Sequence, residues 1–215
     1  INGKQCELKN GALYVDGKWQ FMKSARVVGH FSDPAVTQIW IDRMPMYKKL
    51  GYTNIVLVCH WRVFDTQGTG EVPASSVEPL RRLVDTINAQ GMFASLAVET
   101  YSLGAVVPEG FWKNMPAQQA VTSDGKPAID TDHKSEARMP SFCDEAYLEA
   151  SRNFIANLTR QMADKNFLYC ETSTHPHYMG TTDIDYNAAA KKAYDAWRKD
   201  NTGAPLFPAT FPIRD

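Results

Sequence analysis

The chain has 215 residues, 44% of them hydrophobic and 22% charged, which is the make-up of an ordinary globular protein of one domain or two small ones. Lys and Arg number 23 against 24 Asp and Glu, so the net charge is near -1 and the basic excess usual in nucleic-acid binders is absent. No apolar run approaches the ~18 residues that span a bilayer and no signal peptide is visible, so neither nucleic acid nor membrane is an expected partner.

The chain opens on Ile1 rather than Met, which fits a processed, exported protein and an extracellular or periplasmic location. Leu13-Tyr14-Val15 and Trp19-Gln20-Phe21 flank Asp16-Gly17-Lys18, a hairpin signal that predicts an N-terminal β-hairpin over about 12–22. A second apolar run follows at Ala25–Gly29. Ser32-Asp33-Pro34 starts a helix over Ala35–Leu50, with Ile39, Met46 and Leu50 facing inward, a kink or break at Pro45 and a stop at Gly51. Asn54–Cys59 is a continuous β-branched run, as in a strand buried on both faces.

Leu80–Ala89 carries Leu80, Leu83, Val84 and Ile87 at helical spacing and closes at Gly91. Met92–Val98 predicts the next buried strand, Glu145–Lys165 a long helix, Asn166–Cys170 a fourth strand and Asn187–Lys199 an alanine-rich helix. The stretch from Ser102 to Ser141 is the least regular, and a loop of that length is usually functional or carries small elements of its own. The order is therefore hairpin, β, α, β, α, β, loop, α, β, loop, α, without repeats or a linker. That alternation predicts a single α/β domain over 1–215 with a parallel sheet.

The four cysteines, Cys6, Cys59, Cys143 and Cys170, form no CxxC pair and no zinc spacing with histidine. Four reduced thiols are expected, with a single bridge left open. Asn157-Leu158-Thr159 matches a glycosylation sequon, a short pattern common by chance.

In parallel α/β folds the C-terminal strand ends carry the active site. Those ends read Gly29-His30-Phe31, His60-Trp61-Arg62, Glu99-Thr100-Tyr101 and Glu171-Thr172-Ser173-Thr174-His175-Pro176-His177-Tyr178. Aromatic faces, carboxylates and imidazoles gathered at one edge suit a sugar, whose C–H faces stack on rings and whose hydroxyls need fixed partners. Each residue also has a plainer reading. Glu171 and Glu99 could be structural carboxylates paired with arginine, and Arg26, inside the first strand, could contact the site or form an internal salt bridge. His60 and Trp61 could be packing residues at the core edge, and Trp112 a stacking platform or a loop anchor. His175 and His177 stand at metal-like spacing, but no third ligand lies near them in sequence, so no metal and no cofactor is expected.

LYVDGKWQFMKS (Leu13–Ser24) and DRMPMYKKLGYTNIVLVCHW (Asp42–Trp61) resemble the opening of clan A glycoside hydrolases of the β-galactosidase-like (β/α)8 barrel superfamily. There a hairpin and first strand precede a helix ending in K-x-L-G-[YF]-[TN], and a strand leads into a tryptophan. FLYCETSTHPHYMG (Phe167–Gly180) falls where that clan places its acid/base glutamate, at the end of the fourth strand, and DYNAAAKKAYDAWRKD (Asp185–Asp200) is similar to the helix beyond it. The resemblance implies the N-terminal half of a TIM-type barrel. It also implies a retaining hydrolase of β-glycosidic bonds in oligosaccharides or polysaccharides. Glu171 would be its catalytic acid/base, and His30, His60, Trp61, Glu99, His175 and Tyr178 would bind substrate. It departs at Cys170, where the clan usually has Asn, and in offering no position for the nucleophile glutamate of the seventh strand. That nucleophile would lie outside this chain, and the rest of the barrel or a partner chain would cover open sheet edges and an uncovered apolar inner face. A carbohydrate-binding barrel that has lost a catalytic carboxylate is the alternative. An unrelated α/β enzyme using His60 or His175 as base is less favoured, because no GxSxG, P-loop or GxGxxG is present.

Overall fold

In the computed structural model, which describes residues 3–100, 106–114, 119–130, 137–172, 184–204 and 206, the chain begins with a three-stranded antiparallel sheet. Its strands are β1 (Cys6–Lys9), β2 (Ala12–Val15) and β3 (Lys18–Trp19). Two tight turns build it. Asn10-Gly11 has φ of 51° and 74°, and Asp16-Gly17 has 50° and 75°. Positive φ at both central residues is what a type I′ turn requires, and Asn or Asp followed by Gly tolerates it best. The predicted hairpin is thus present. It stops at Trp19, short of Phe21, and it gains β1 through an Asn-Gly signal that the sequence also carried.

Four strands form the main sheet: β4 (Ser24–Val28), β5 (Asn54–His60), β6 (Phe93–Glu99) and, beyond the small ribbon of β7 (Ile129–Asp130) and β8 (Ala137–Arg138), β9 (Cys170–Glu171). All four run parallel in the order β4-β5-β6-β9, which follows the chain without reversal. A doubly wound sheet reverses its order at a switch point, whereas a (β/α) barrel winds onward in one direction. The sheet also curls. In a flat sheet the outer strands would stand about 14 Å apart, yet Arg26 on β4 hydrogen-bonds Glu171 on β9. The architecture is α/β, a partial barrel of TIM type with an N-terminal hairpin sheet.

Among the described residues six helices accompany the strands: α1 (Pro34–Lys49), α2 (Trp61–Phe64), α3 (Ala74–Ala89), α4 (Glu109–Asn114), α5 (Glu145–Gln161) and α6 (Ala188–Asp200). Asp33 caps α1 by accepting from Ala35 N at 2.7 Å and Val36 N at 3.3 Å, and Pro34 fits the first turn, where no amide partner is needed. Asp144 caps α5 and Asn187 caps α6 in the same way. The apolar faces of α3 and α5 (Leu80, Leu83, Val84 and Ile87; Tyr147, Phe154 and Leu158) cover Ile55, Leu57 and Cys59 of β5 and Ala94, Leu96 and Val98 of β6 in one core. No helix among the described residues is long and apolar enough to cross a membrane.

Several expectations change. α1 continues through Pro45 as one element, and its buried face is Thr37 and Met44 flanked by Trp40, Ile41 and Tyr47. Ile39, Met46 and Leu50, expected inside, are 50%, 50% and 55% exposed. Two stripes with helical spacing coexist in this helix, and periodicity alone cannot choose between them. α3 starts at Ala74, six residues earlier than predicted, and α5 ends at Gln161, four earlier. The fourth strand keeps only Cys170 and Glu171, although Leu168 N already bonds Ala94 O at 2.8 Å and Leu96 N bonds Tyr169 O at 3.1 Å. The apolar inner face is covered in part: Val56, Val58 and Ala97 form a small buried cluster there, while Val28 of β4, in register with Val58, is 51% exposed. Other exposed apolar side chains stand on α1 and in the N-terminal segment, at Leu8, Trp19 and Phe21.

Candidate functional site

Parallel pairing decides which residues meet. His60 closes β5 and lies in register with Glu99, which closes β6, and Glu171 closes β9 in register with Ala97. Side chains alternate along a strand, so His60 and Glu99 share a face with Val58 and Ala97, and Arg26, in register with Val56, shares it too. The C-terminal edge of the sheet therefore collects one imidazole and two carboxylates above a single arginine.

Arg26 joins the carboxylates. Its Nη2 donates to Glu99 Oε1 at 2.7 Å, and its Nη1 donates to Glu171 Oε1. A planar guanidinium with a fixed fork of donors can serve two carboxylates at once, which a point-charge ammonium cannot. Exposure differs sharply among the three: the Glu99 side chain is 1% exposed, Glu171 31% and Arg26 39%. A carboxylate as buried as Glu99 needs a charged, hydrogen-bonded partner, and Arg26 supplies one.

His60 is half-buried at the head of this cluster. Its Nε2 is buried and has no hydrogen-bond partner among the described residues. Burial lowers its pKa from the usual value; Glu99 opposes that shift, while Arg62, His30 and Arg26 add to it. The ring is therefore neutral at neutral pH and offers one N–H and one lone pair, a set suited to hydroxyl groups. His30 lies exposed two residues beyond β4, close enough to act on His60 electrostatically.

The structure thus brings His30, His60, Glu99 and Glu171 to one edge. Two of the expected contacts change role. Glu99 faces Arg26 from a position too buried to touch a substrate. Trp61 is fully buried: its ring stacks on Phe154 with centroids 5.9 Å apart, and its Nε1 donates to Asp65 Oδ2 at 2.9 Å. The cause is local. The chain turns into α2 directly after His60, which sends Trp61 into the helix-side core. Asp65 then uses its other contacts to hold the amides of Gln67, Gly68 and Gly70. Trp61→Ala should destabilise the fold by about 3–5 kcal/mol, the usual cost of emptying an aromatic core position. Urea unfolding monitored by far-UV circular dichroism checks it, and a change under 1 kcal/mol would mean that the ring is not packed in this way.

Arg26 is the residue that reading the strand ends passes over. Its signal was a lone charge inside Ser-Ala-Arg-Val-Val, and the two readings it left open coincide, because its salt bridges are made to the site's own carboxylates. Cys170 lies in register with Leu96 of the helix-side core, and burial, then Glu171, raises its pKa. All four cysteines are free thiols. Trp112 is buried under Arg138, an anchor for the long loop rather than an open platform. The Asn157 sequon lies within α5, and its Nδ2 donates to Gly70 O at 2.9 Å. His175 and Tyr178 lie outside the described residues. A groove of about 680 Å³ lined by Leu8, Leu13, Trp19, Phe21, Leu168 and Tyr169 opens at the other end, where β4 and β9 begin, away from the carboxylates.

The sequence matches no protein-family model and no curated protein. Among solved structures it is similar to virulence factor SghA from Agrobacterium tumefaciens, at 13% identity and TM-score 0.48, over 79% of this chain and 36% of that one. It is similar to a GH5_18 from Bifidobacterium longum subsp. infantis at 17% identity and TM-score 0.49, over 83% and 40%. A family 1 β-glucosidase from Thermotoga maritima follows at 14% identity and TM-score 0.45, over 64% and 24%. This chain spans less than half the length of each of these proteins.

Proposed function

We propose that these residues are the acid/base-bearing half of a retaining glycoside hydrolase that cleaves β-glycosidic bonds in an oligosaccharide or polysaccharide. The observation that carries this reading is the position of Glu171. It is a partly exposed carboxyl at the C-terminal edge of a curled parallel sheet, the edge that also carries His60 with an unused, buried ring nitrogen. In the first step Glu171 gives its proton to the glycosidic oxygen as the C–O bond breaks, and a second carboxylate about 5–5.5 Å away bonds to the anomeric carbon. In the second step Glu171 takes a proton from water, whose oxygen displaces that carboxylate. The second carboxylate is assigned to sequence outside residues 1–215, because the resemblance puts it on a seventh strand for which this chain offers no position.

The ion pair between Arg26 and Glu171, together with Cys170 where the clan usually has Asn, favours a second reading, a barrel that binds carbohydrate without cleaving it. Proton NMR of the full-length protein with aryl β-glycosides separates the two. The retaining reading expects the β-anomer of the released sugar to appear first, before mutarotation. A first-formed α-anomer would overturn it, and saturable binding without any release would select the non-catalytic reading.

A further inference from the structure

We infer that Arg26 is a positioning residue for Glu171, anchored by Glu99. The inference rests on the glycosidase reading above. The two arms of the fork end on carboxylates that differ in freedom. Glu99, at 1% exposure, is held in place by the packing around it, whereas Glu171, at 31%, borders solvent and can move. The fixed end of the network is therefore Glu99 and the adjustable end is Glu171. The backbone gives Glu171 little help, because β9 is two residues long and Glu171 is its last. A guanidinium held from β6 thus sets where a carboxyl on β9 points.

The charges fit a positioning role. Among the described residues Glu171 is paired with Arg26 of β4, which also binds Glu99 of β6, and Cys170 stands next to it on β9. A lone arginine would oppose the protonated state that an acid needs, but Glu99 offsets the guanidinium's charge. Arg26 can then orient Glu171 in both of its states: as the acid that donates to the leaving oxygen, and as the carboxylate that later accepts from water. Two variants break the network at different points. Arg26→Met removes the orienting donor, and Glu99→Gln keeps the donor but leaves its charge uncompensated.

The test uses the full-length protein and two aryl β-glycosides, one with a poor leaving group and one with an activated one. Arg26→Met and Glu99→Gln should each lower kcat on the poor leaving group by about 10²-fold, the lower end of what general acid catalysis supplies. KM should stay near wild type, and the activated substrate should suffer far less. Arg26→Lys, which keeps the charge but loses the fork, should fall between wild type and Arg26→Met. Equal losses on both substrates would reduce Arg26 to a structural ion pair, and a raised KM at unchanged kcat would make it a substrate contact. Either result overturns the inference. Glu171→Gln in the same assays reports on the glycosidase reading alone. If that variant behaves as wild type, or nothing is cleaved, the anchor is read from the Arg26 Nη2–H signal in 15N NMR. This signal should persist in Glu171→Gln and be lost in Glu99→Gln, and the reverse pattern would sink the proposal independently of activity.

Discussion

Glu171→Gln in the full-length protein should lower turnover of substrates with poor leaving groups by roughly 10²–10⁴-fold, the usual worth of general acid catalysis. The substitution keeps the shape of the side chain and an acceptor oxygen that Arg26 can still reach, but it removes the transferable proton and the negative charge. The glycosidic oxygen of a poor leaving group cannot depart as an alkoxide, so its cleavage feels the full loss. An activated aryl oxygen leaves almost unassisted, so its first step should change much less, and the glycosyl-enzyme should then accumulate because water lacks its base. Steady-state kinetics on both substrates, with a burst measurement on the activated one, checks this. Wild-type rates on both would remove Glu171 from the mechanism.

The parts of the fold that could be read from the sequence are those where one physical demand dominates. Asn54–His60 and Phe93–Glu99 must be apolar nearly throughout because both faces of each strand are covered, and such runs announce themselves. The helix starts at Asp33, Asp144 and Asn187 are equally plain, since a cap needs one particular kind of side chain. Where two demands compete, the reading fails. α1 carries two apolar stripes, and only the neighbouring elements decide which is buried. Trp61 stands at a strand end, where site residues belong, yet a single helical turn carries it into the core.

Convergence of Glu99 and Glu171 on one edge follows from strand direction, so it was legible. Their union through Arg26 was not, because the partners lie 73 and 145 residues from it in sequence. No local pattern links residues so distant. Only the curl of the sheet brings them together, and curl depends on how all the strands tilt against one another.

Residues 1–215 expressed alone should show no glycosidase turnover. A closed barrel of this type needs eight strands and about 250 residues, and the main sheet here has four strands. Among the described residues β4 and β9 each pair on one side only, and Ile39, Met46 and Leu50 stand half exposed on α1. A strand edge and an apolar helix flank that lie open together call for further βα units, from the remainder of the polypeptide or from a partner chain. The proposed mechanism places the second carboxylate in those units. Without it Glu171 can protonate a leaving group, but nothing bonds to the anomeric carbon, and the oxocarbenium-like state forms without its neighbouring anion. The uncovered surfaces should also drive self-association, so the segment should sediment above the mass of one chain. Analytical ultracentrifugation together with an aryl glycoside panel makes the comparison. A monodisperse monomer that hydrolyses any of those substrates would overturn both the partial-barrel account of the site and the assignment of the second carboxylate to sequence beyond these residues.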